Sequence, residues 1–399
     1  MKIAMVIEEF DLQKGGQERS TFEIAELLAA KGMDVTLVTA ESAGLPAGAK
    51  SKLIDFEIEH PSRAKRYMKF VQATNDYFQK NRFEIIHAIT PVPCANVYQP
   101  RGGLAQEIFN RNLARYTGLR RMLRKWFGLN PRMKEIERME RFLATETRCT
   151  FLAVSDYVQR QCMEHLGLPA DRTRVIFNGV DLQRLPAAKN EEERNHLRTV
   201  MGIGPKELAG VFIATNFKLK GLDVLIEAAR LLREKHAEAL SRFRFIISGP
   251  DKNRRYFEKV QRLGLAERIL FLGPSGEIGS LYNLADFLIH PTWYDPCSRV
   301  VLEAMACGVP AISTKYNGAS ELLTKRNCGL VLDEPADAGA LMDAFLTMLN
   351  EDQRTEFARN GLSARKEISM DRHVEELIKF YHENLQRKTA GNQKVKTAG

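Results

Sequence analysis

Two carboxylates stand eight residues apart in Asp295-Pro-Cys-Ser-Arg-Val-Val-Leu-Glu303. A short apolar run, Phe287–Ile289, precedes them, and the helical pattern of Val300 to Ala306 follows at once. Asp295 thus comes just before a helix and Glu303 lies within it. Both can face one ligand at different points and accept hydrogen bonds from its hydroxyls. The helix start also offers backbone N–H groups near Ser298, Arg299 and Val300 that intrahelical bonding leaves open, an arrangement suited to an anionic diphosphate. The same residues fit a plain helix N-cap at Asp295 and a solvated Glu303 equally well. Lys218-Leu-Lys220-Gly221 puts two cations between a strand and a helix, where lysines also occur merely solvated. Gly15-Gly16 sits at another strand-to-helix turn, and glycines there let the backbone approach a ligand. It is not a G-x-G-x-x-G fingerprint, and such a pair also serves as a simple turn.

These residues need a scaffold, and the apolar pattern supplies one. Ile3 to Ile7 reads as a strand, Gln17 to Lys31 as a helix stopping at Gly32, and Val35 to Val38 as the next strand. That is a βαβ unit, the element of a parallel sheet covered by helices. Ile85–Ile86, Phe151–Val154 and Val175–Phe177 extend this first sheet. The polar stretch from Ala188 to Lys206 reads as a linker. The pattern then restarts, with strands at Gly210–Thr215, Phe243–Ser248, Ile269–Leu272, Phe287–Ile289 and Val309–Ser313. The fold class is α/β, and ligands bind at the carboxyl ends of such sheets. Two such domains would close over a substrate by a hinge.

The bulk numbers agree. A chain of 399 residues with 44% hydrophobic content favours two domains with a core each. No run of 18 apolar residues indicates a membrane-spanning helix. Glu8 and Glu9 interrupt the N-terminal apolar run, so it does not read as a signal peptide. The six cysteines are scattered without a C-x-x-C pair, which argues against a zinc site or disulfide framework and fits a reducing cytosol. A net charge of +9 favours an anionic partner without choosing among nucleotide, lipid surface and nucleic acid.

Leu302-Glu-Ala-Met-Ala-Cys-Gly-Val-Pro-Ala-Ile312, with Asp295 ahead of it, resembles the E-x7-E signature of family 4 glycosyltransferases. The resemblance implies the GT-B fold, two Rossmann-like parallel-sheet domains facing an interdomain cleft. It implies a retaining enzyme that passes a sugar from a nucleotide diphosphate to an acceptor. Asp295 would hold the donor sugar's hydroxyls and Glu303 the ribose. Asp replaces the usual first Glu, and Cys297-Ser298 stands where Phe-Gly is commoner, which leaves the sugar open. Lys218 to Gly221 resembles the family's R/K-x-x-K-G segment, so Lys220 would neutralise the leaving diphosphate, with Lys218 replacing an arginine usually found earlier. Gly15-Gly-Gln-Glu-Arg19 resembles the donor and acceptor loop, and Asn178-Gly-Val-Asp181 the interdomain crossing. Gly249-Pro-Asp-Lys252, Tyr256-Phe-Glu258 and Asn327-Cys-Gly329 narrow the resemblance to bacterial lipopolysaccharide-core α-glucosyltransferases. That implies UDP-glucose as donor, with GDP- and ADP-sugars open, and a saccharide or lipid-linked acceptor. By the same resemblance Gly273-Pro274-Ser275 lies under the base and Gly249 beside the donor. Arg101, in the loop Val97 to Gly103, is a catalytic candidate. His87 after its strand fits a catalytic role and a core histidine alike.

The implied organisation is an acceptor-binding domain at 1–185, a nucleotide-sugar domain at 186–370, a helix at 371–387 able to cross back to the first domain, and a disordered tail at 388–399. No zinc spacing or D-x-D motif stands out, so neither metal nor cofactor is expected. A membrane- or nucleic-acid-binding protein without transferase activity, a nucleotide-sugar epimerase and a phosphorylase are the competing readings. The paired acids with Lys220 favour the transferase.

One segment adds a location. Residues 110–134 contain Arg111, Arg115, Arg120, Arg121, Arg124, Lys125, Arg132 and Lys134 and no acid. At about 100° per residue, Leu113, Tyr116, Leu119, Leu123, Trp126 and Phe127 share one side of a helix and the cations most of the rest, Met122 excepted. Such a helix, within a basic amphipathic segment at 105–135, can lie in an anionic membrane interface through Arg120, Arg121, Arg124, Lys125, Trp126 and Phe127. It can equally pack on the first domain with a solvated basic face. The first alternative places the protein in the cytoplasm, peripheral on the inner face of the plasma membrane. Nucleic acid is not expected as a partner, because no nucleic-acid motif accompanies the charge.

Overall fold

A computed structural model of the chain describes residues 1–13, 15–250, 254–275 and 277–396, without the side chains of 387–396. It divides into two compact units, Met1–Asn178 with Met370–Gly399, and Gly179–Ser369.

The first unit is built on the strands β1 (Lys2–Val6), β2 (Glu9–Phe10), β3 (Asp34–Thr39), β4 (Glu41–Ser42), β5 (Lys52–Asp55), β6 (Ile85–Ala88), β7 (Val97–Tyr98), β8 (Thr150–Ala153) and β9 (Thr173–Val175). Seven of them form one parallel sheet in the order β5-β3-β1-β6-β7-β8-β9, while β2 and β4 pair separately. The connecting helices are α1 (Gly16–Ala30), α2 (Arg63–Lys80), α3 (Ala105–Ala114), α4 (Gly118–Phe127), α5 (Pro131–Thr145) and α6 (Asp156–Leu166). Central strands such as Lys-Ile-Ala-Met-Val are apolar on both faces because helices cover both.

The second unit repeats the plan with β10 (Leu208–Ile213), β11 (Phe243–Ser248), β12 (Ile269–Gly273), β13 (Phe287–His290), β14 (Ala311–Thr314) and β15 (Gly329–Leu332), in the parallel order β12-β11-β10-β13-β14-β15. Its helices are α7 (Glu191–Val200), α8 (Leu222–Lys235), α9 (Ala237–Leu240), α10 (Arg254–Arg262), α11 (Ile278–Leu284), α12 (Arg299–Ala306), α13 (Ser320–Arg326), α14 (Ala338–Thr347) and α15 (Glu351–Ser363). Phe243, Phe245, Phe287 and Phe345 meet in its core with ring centroids 5.0–6.2 Å apart. Each such buried ring stabilises the unit by about 2 kcal/mol. The last helix, α16 (Met370–Lys396), returns to the first unit, where Val374, Leu377 and Tyr381 join Ile3, Met5, Ile24 and Leu28 in the core.

Two expectations change. The stretch at 188–206 is no bare linker. Asn190 caps α7 by accepting from Glu193 N–H, three glutamates fill the first turn, and Arg194 and Arg198 both pair with Asp286. Charges that read as linker composition are therefore fastened to the second unit. The basic run 110–134 is three helices rather than one. Leu113 is buried in α3, Gly128 ends α4, and Asn130 with Pro131 starts α5. The backbone of α16 runs as helix to Lys396; of the tail at 388–399, residues 397–399 lie outside the described residues.

Candidate active site

In the second unit the loop after β10 and the loop after β13 are laced together. Trp293 N–H donates to the Leu219 carbonyl at 3.0 Å, and Thr292 Oγ1 to the same oxygen at 3.3 Å. Gly221 begins α8 with φ of 87°, and a Cβ there would overlap the Pro291 carbonyl. Only glycine allows the two loops to meet. The result is that Lys220 Nζ lies 2.6 Å from Asp295 Oδ2, with the Tyr294 carbonyl as a second acceptor at 3.4 Å. Lys218 stays exposed on the same loop.

Asp295 is not the cap of α12; that position is Ser298. Its side chain turns instead to Lys220 and to His290, whose Nε2 lies 3.5 Å from Oδ2 and 3.3 Å from Ser298 Oγ. Burial alone would raise the Asp295 pKa. The Lys220 ammonium, and His290 beside it, outweigh burial and hold the carboxyl well below the ordinary carboxylate range. Burial lowers the His290 pKa more than Asp295 raises it, so the imidazole is neutral at pH 7.

The Ser298 N–H, read from sequence as open, already donates to Asn317 Oδ1 at 3.0 Å. The first intrahelical bond is Leu302 N–H to the Ser298 carbonyl. Arg299, Val300 and Val301 therefore form the first turn, whose N–H groups have no carbonyl four residues back within the helix. Glu303 is 12% exposed, which rules out a freely solvated side chain. Its Oε2 accepts from Tyr282 OH at 2.9 Å, and Oε1 lies 3.8 Å from Arg299 Nε.

Gly249 and Gly273 meet where β11 and β12 end, through Gly249 N–H to the Gly273 carbonyl at 2.9 Å. A Cβ on Gly249 would overlap the Ala214 carbonyl, so the chain there is close-packed backbone. Pro274 is exposed in the next turn. Asp251 and Lys252 lie outside the described residues. A separate surface cavity of about 390 Å³ in this unit, lined by residues including Arg184 and Ser280, shares none of these groups.

Gly15, Gly16 and Arg101 belong to the first unit. Gly15 caps α1 with extended backbone, and Gly102 lies against Gln17, so the loop after β7 meets the start of α1. Arg101 is buried, with Nη2 3.3 Å from Asn178 Oδ1. His87 is fully buried, its Nδ1 2.6 Å from Tyr381 OH, and burial with Arg101 nearby lowers its pKa to about 3. Arg120, Arg121, Arg124, Lys125, Trp126 and Phe127 all lie on α4, which buries none of its residues. Trp126 is 87% and Phe127 76% exposed. Met122 falls with them: once the helix is limited to Gly118–Phe127, its five large apolar side chains occupy one arc of about 140° and it is no exception. Arg132, one of the basic residues of the run 110–134, pairs with buried Glu8 at 2.5 Å.

Sequence reasoning missed His290, Asn317 and Tyr282. His290 had a signal, a histidine ending a strand five residues before Asp295; Asn317 and Tyr282 had none in spacing.

The family model described as Glycosyltransferase Family 4 matches residues 14–184, and that described as Glycosyl transferases group 1 matches residues 193–364. The chain belongs to glycosyltransferase family 4. Among similar proteins, this glycosyltransferase is 26% identical to an uncharacterized glycosyltransferase of Methanocaldococcus jannaschii, over 81% of this chain and 83% of that one. It is 22% identical to the lipopolysaccharide glucosyltransferase WaaG of Escherichia coli, over 84% of this chain and 87% of that one. The crystal structure of WaaG, a GT-B enzyme, superposes with a TM-score of 0.77 over 94% of this chain and 98% of that one, at 20% identity. Anabaena HepE in complex with UDP-glucose superposes at 0.69 over 97% and 100%, at 18% identity. The fold of this glycosyltransferase is GT-B. Among its described residues no group of three or more His, Cys, Asp or Glu is placed to hold a metal ion, and no helix is long and apolar enough to cross a membrane.

Proposed function

We propose that the chain is a retaining, metal-independent hexosyltransferase that moves glucose from UDP-glucose to a lipopolysaccharide-core or lipid-linked acceptor. What carries the reading is the Lys220–Asp295 pair at 2.6 Å beside the start of α12. An ammonium and the first-turn N–H groups of Arg299 and Val300 can meet the diphosphate while the carboxylate meets the sugar. The name of WaaG supports glucose and the lipopolysaccharide core, and the UDP-glucose complex of HepE supports the donor.

In the proposed step the acceptor oxygen bonds to the anomeric carbon on the face from which UDP leaves. The bond from that carbon to the β-phosphate oxygen breaks, and the β-phosphate takes the acceptor's proton. Lys220 stabilises the departing charge, with Lys218 as a second cation. Asp295 holds the sugar, and Glu303, steadied by Tyr282, holds the ribose. Gly249, Gly273 and Pro274 border the base, and Ser298 sets the helix start. The domain at 186–370 takes the donor and that at 1–185 the acceptor, with Gly15, Gly16 and Arg101 serving the reaction from the first.

The test is a hydrolysis screen of UDP-, GDP- and ADP-sugars followed by NMR of the product anomer. UDP-glucose should turn over fastest; a faster GDP- or ADP-sugar removes the donor assignment, and an inverted product removes retention.

The exposed face of α4 supports a cytoplasmic protein peripheral on the inner leaflet. Trp126 and Phe127 insert while Arg120, Arg121, Arg124 and Lys125 meet anionic headgroups at about 1 kcal/mol each. Sedimentation with anionic vesicles should weaken with salt and drop when these four become Gln. Equal binding to neutral vesicles would sink the membrane reading and leave the transferase standing.

A further inference from the structure

Asp295 Oδ2 is held from two sides, by Lys220 Nζ at 2.6 Å and His290 Nε2 at 3.5 Å. Among the described residues no hydrogen bond reaches Oδ1. We infer that His290 is a positioning residue that, with Lys220, fixes Asp295 so that Oδ1 alone meets a hydroxyl of the transferred sugar, which makes the enzyme selective among hexose epimers. The inference rests on the transferase reading of Asp295 and deepens it to sugar selection.

Neither holding group can follow the carboxylate if it turns. The Lys220 ammonium is also tied to the Tyr294 carbonyl. His290 is 1% exposed and closes β13, paired with Ser313 of β14, and its carbonyl accepts from Ser313 Oγ. Its Nδ1 is buried without a partner among the described residues. An orphan acceptor is tolerated better than an orphan N–H, so the proton belongs on Nε2, which lies 3.3 Å from Ser298 Oγ and 3.5 Å from Asp295 Oδ2. Burial keeps the ring neutral, and so the tautomer persists across physiological pH.

A carboxylate free to rotate accepts from whichever hydroxyl is near. One with a pinned oxygen offers a single fixed acceptor, and a site built to receive one hydroxyl rejects the analogue that moves or lacks it. Asp, one carbon shorter than Glu, has less reach to compensate. His290 is thus the missing member of a three-residue group of which sequence spacing suggests only Lys220 and Asp295.

The test compares kcat/KM for UDP-glucose with its single-hydroxyl epimers and deoxy analogues. His290→Leu should reduce the selectivity ratio about tenfold, the loss of one polar contact to a charged oxygen, while UDP affinity stays within about twofold of wild type. His290→Gln, which keeps a donor, should restore most of the ratio. The histidine ¹⁵N spectrum of the wild type, assigned through His290→Gln, should show a neutral Nε2–H tautomer at pH 7. An unchanged ratio in a folded His290→Leu, or a protonated Nδ1 in the wild type, overturns the inference alone. A wild type that transfers sugar from no nucleotide sugar overturns both it and the donor reading.

Discussion

Two carboxylates, one in each unit, are buried under different company. Glu140 of α5 is 1% exposed and accepts from Tyr98 OH at 2.9 Å and from Ala105 N–H at 3.1 Å. Burial outweighs both hydrogen bonds and pushes its pKa up to about 8. Asp295, 15% exposed, has an ammonium at 2.6 Å, and its pKa moves the other way. Neutral donors therefore do not repay the desolvation of a carboxylate, whereas one placed cation does. Glu140 at neutral pH is largely a protonated clamp on the first N–H of α3, and Asp295 is an anion held ready.

Removing the cation should erase the contrast. In Lys220→Ala, Asp295 becomes a buried carboxylate with neutral neighbours, as Glu140 is, and the leaving charge loses its partner. Turnover should fall about 10²–10³-fold with the fold intact. Measured kcat at wild-type level, with circular dichroism unchanged, would break the comparison at its stronger end.

Exchanging the acids themselves sharpens it within the second unit. Asp295→Asn should lower kcat about a hundredfold and leave UDP affinity within about twofold. Glu303→Gln should weaken UDP binding about tenfold, because Tyr282 and Arg299 hold that carboxylate where the ribose is expected. Equal loss of UDP affinity in both variants, by calorimetry, would merge the two roles.

The smallest effect lies in the first unit. The folded pKa of Glu140, about 8, exceeds its ordinary value of 4.5. The folded chain thus holds a proton that the unfolded chain releases, and this contribution to stability is full below the ordinary value and lost as pH rises toward 8 and beyond. Asp295 slopes oppositely and loses its contribution only in acid. Glu140→Gln should flatten the decline of Tm between pH 5 and 9 by about 3 °C or more, as expected for a change on the order of 1 kcal/mol. Identical slopes in wild type and variant, followed by scanning calorimetry, would show that Glu140 carries no such proton.

Much of the second unit is legible in the sequence because its chemistry is local. Asp295, Ser298 and Glu303 belong to one strand–loop–helix passage, and Lys220 precedes the first helix of a repeated βα pattern. Apolar runs identify the central strands, whose two buried faces demand them. The edge strands Lys52–Asp55 and Gly329–Leu332 escape notice because, half exposed with one neighbour each, they carry apolar runs of only two and three residues, Leu53–Ile54 and Leu330–Leu332.

The α/β class, the two-unit plan and the Asp295–Glu303 passage are written in the chain itself, since hydrophobic period and close spacing are one-dimensional signals, while the family came from resemblance to a known signature. Which of these groups touch depends on the folded chain. It brought Lys220 and His290 to one oxygen of Asp295, gave the Ser298 N–H to Asn317, took Arg132 from the basic run for Glu8, and divided that run into a buried Leu113 and an exposed Trp126. Electrostatic pairing and burial depend on distance in space, and residues 75 positions apart in the chain, Lys220 and Asp295, become neighbours only when the loops after β10 and β13 close on each other.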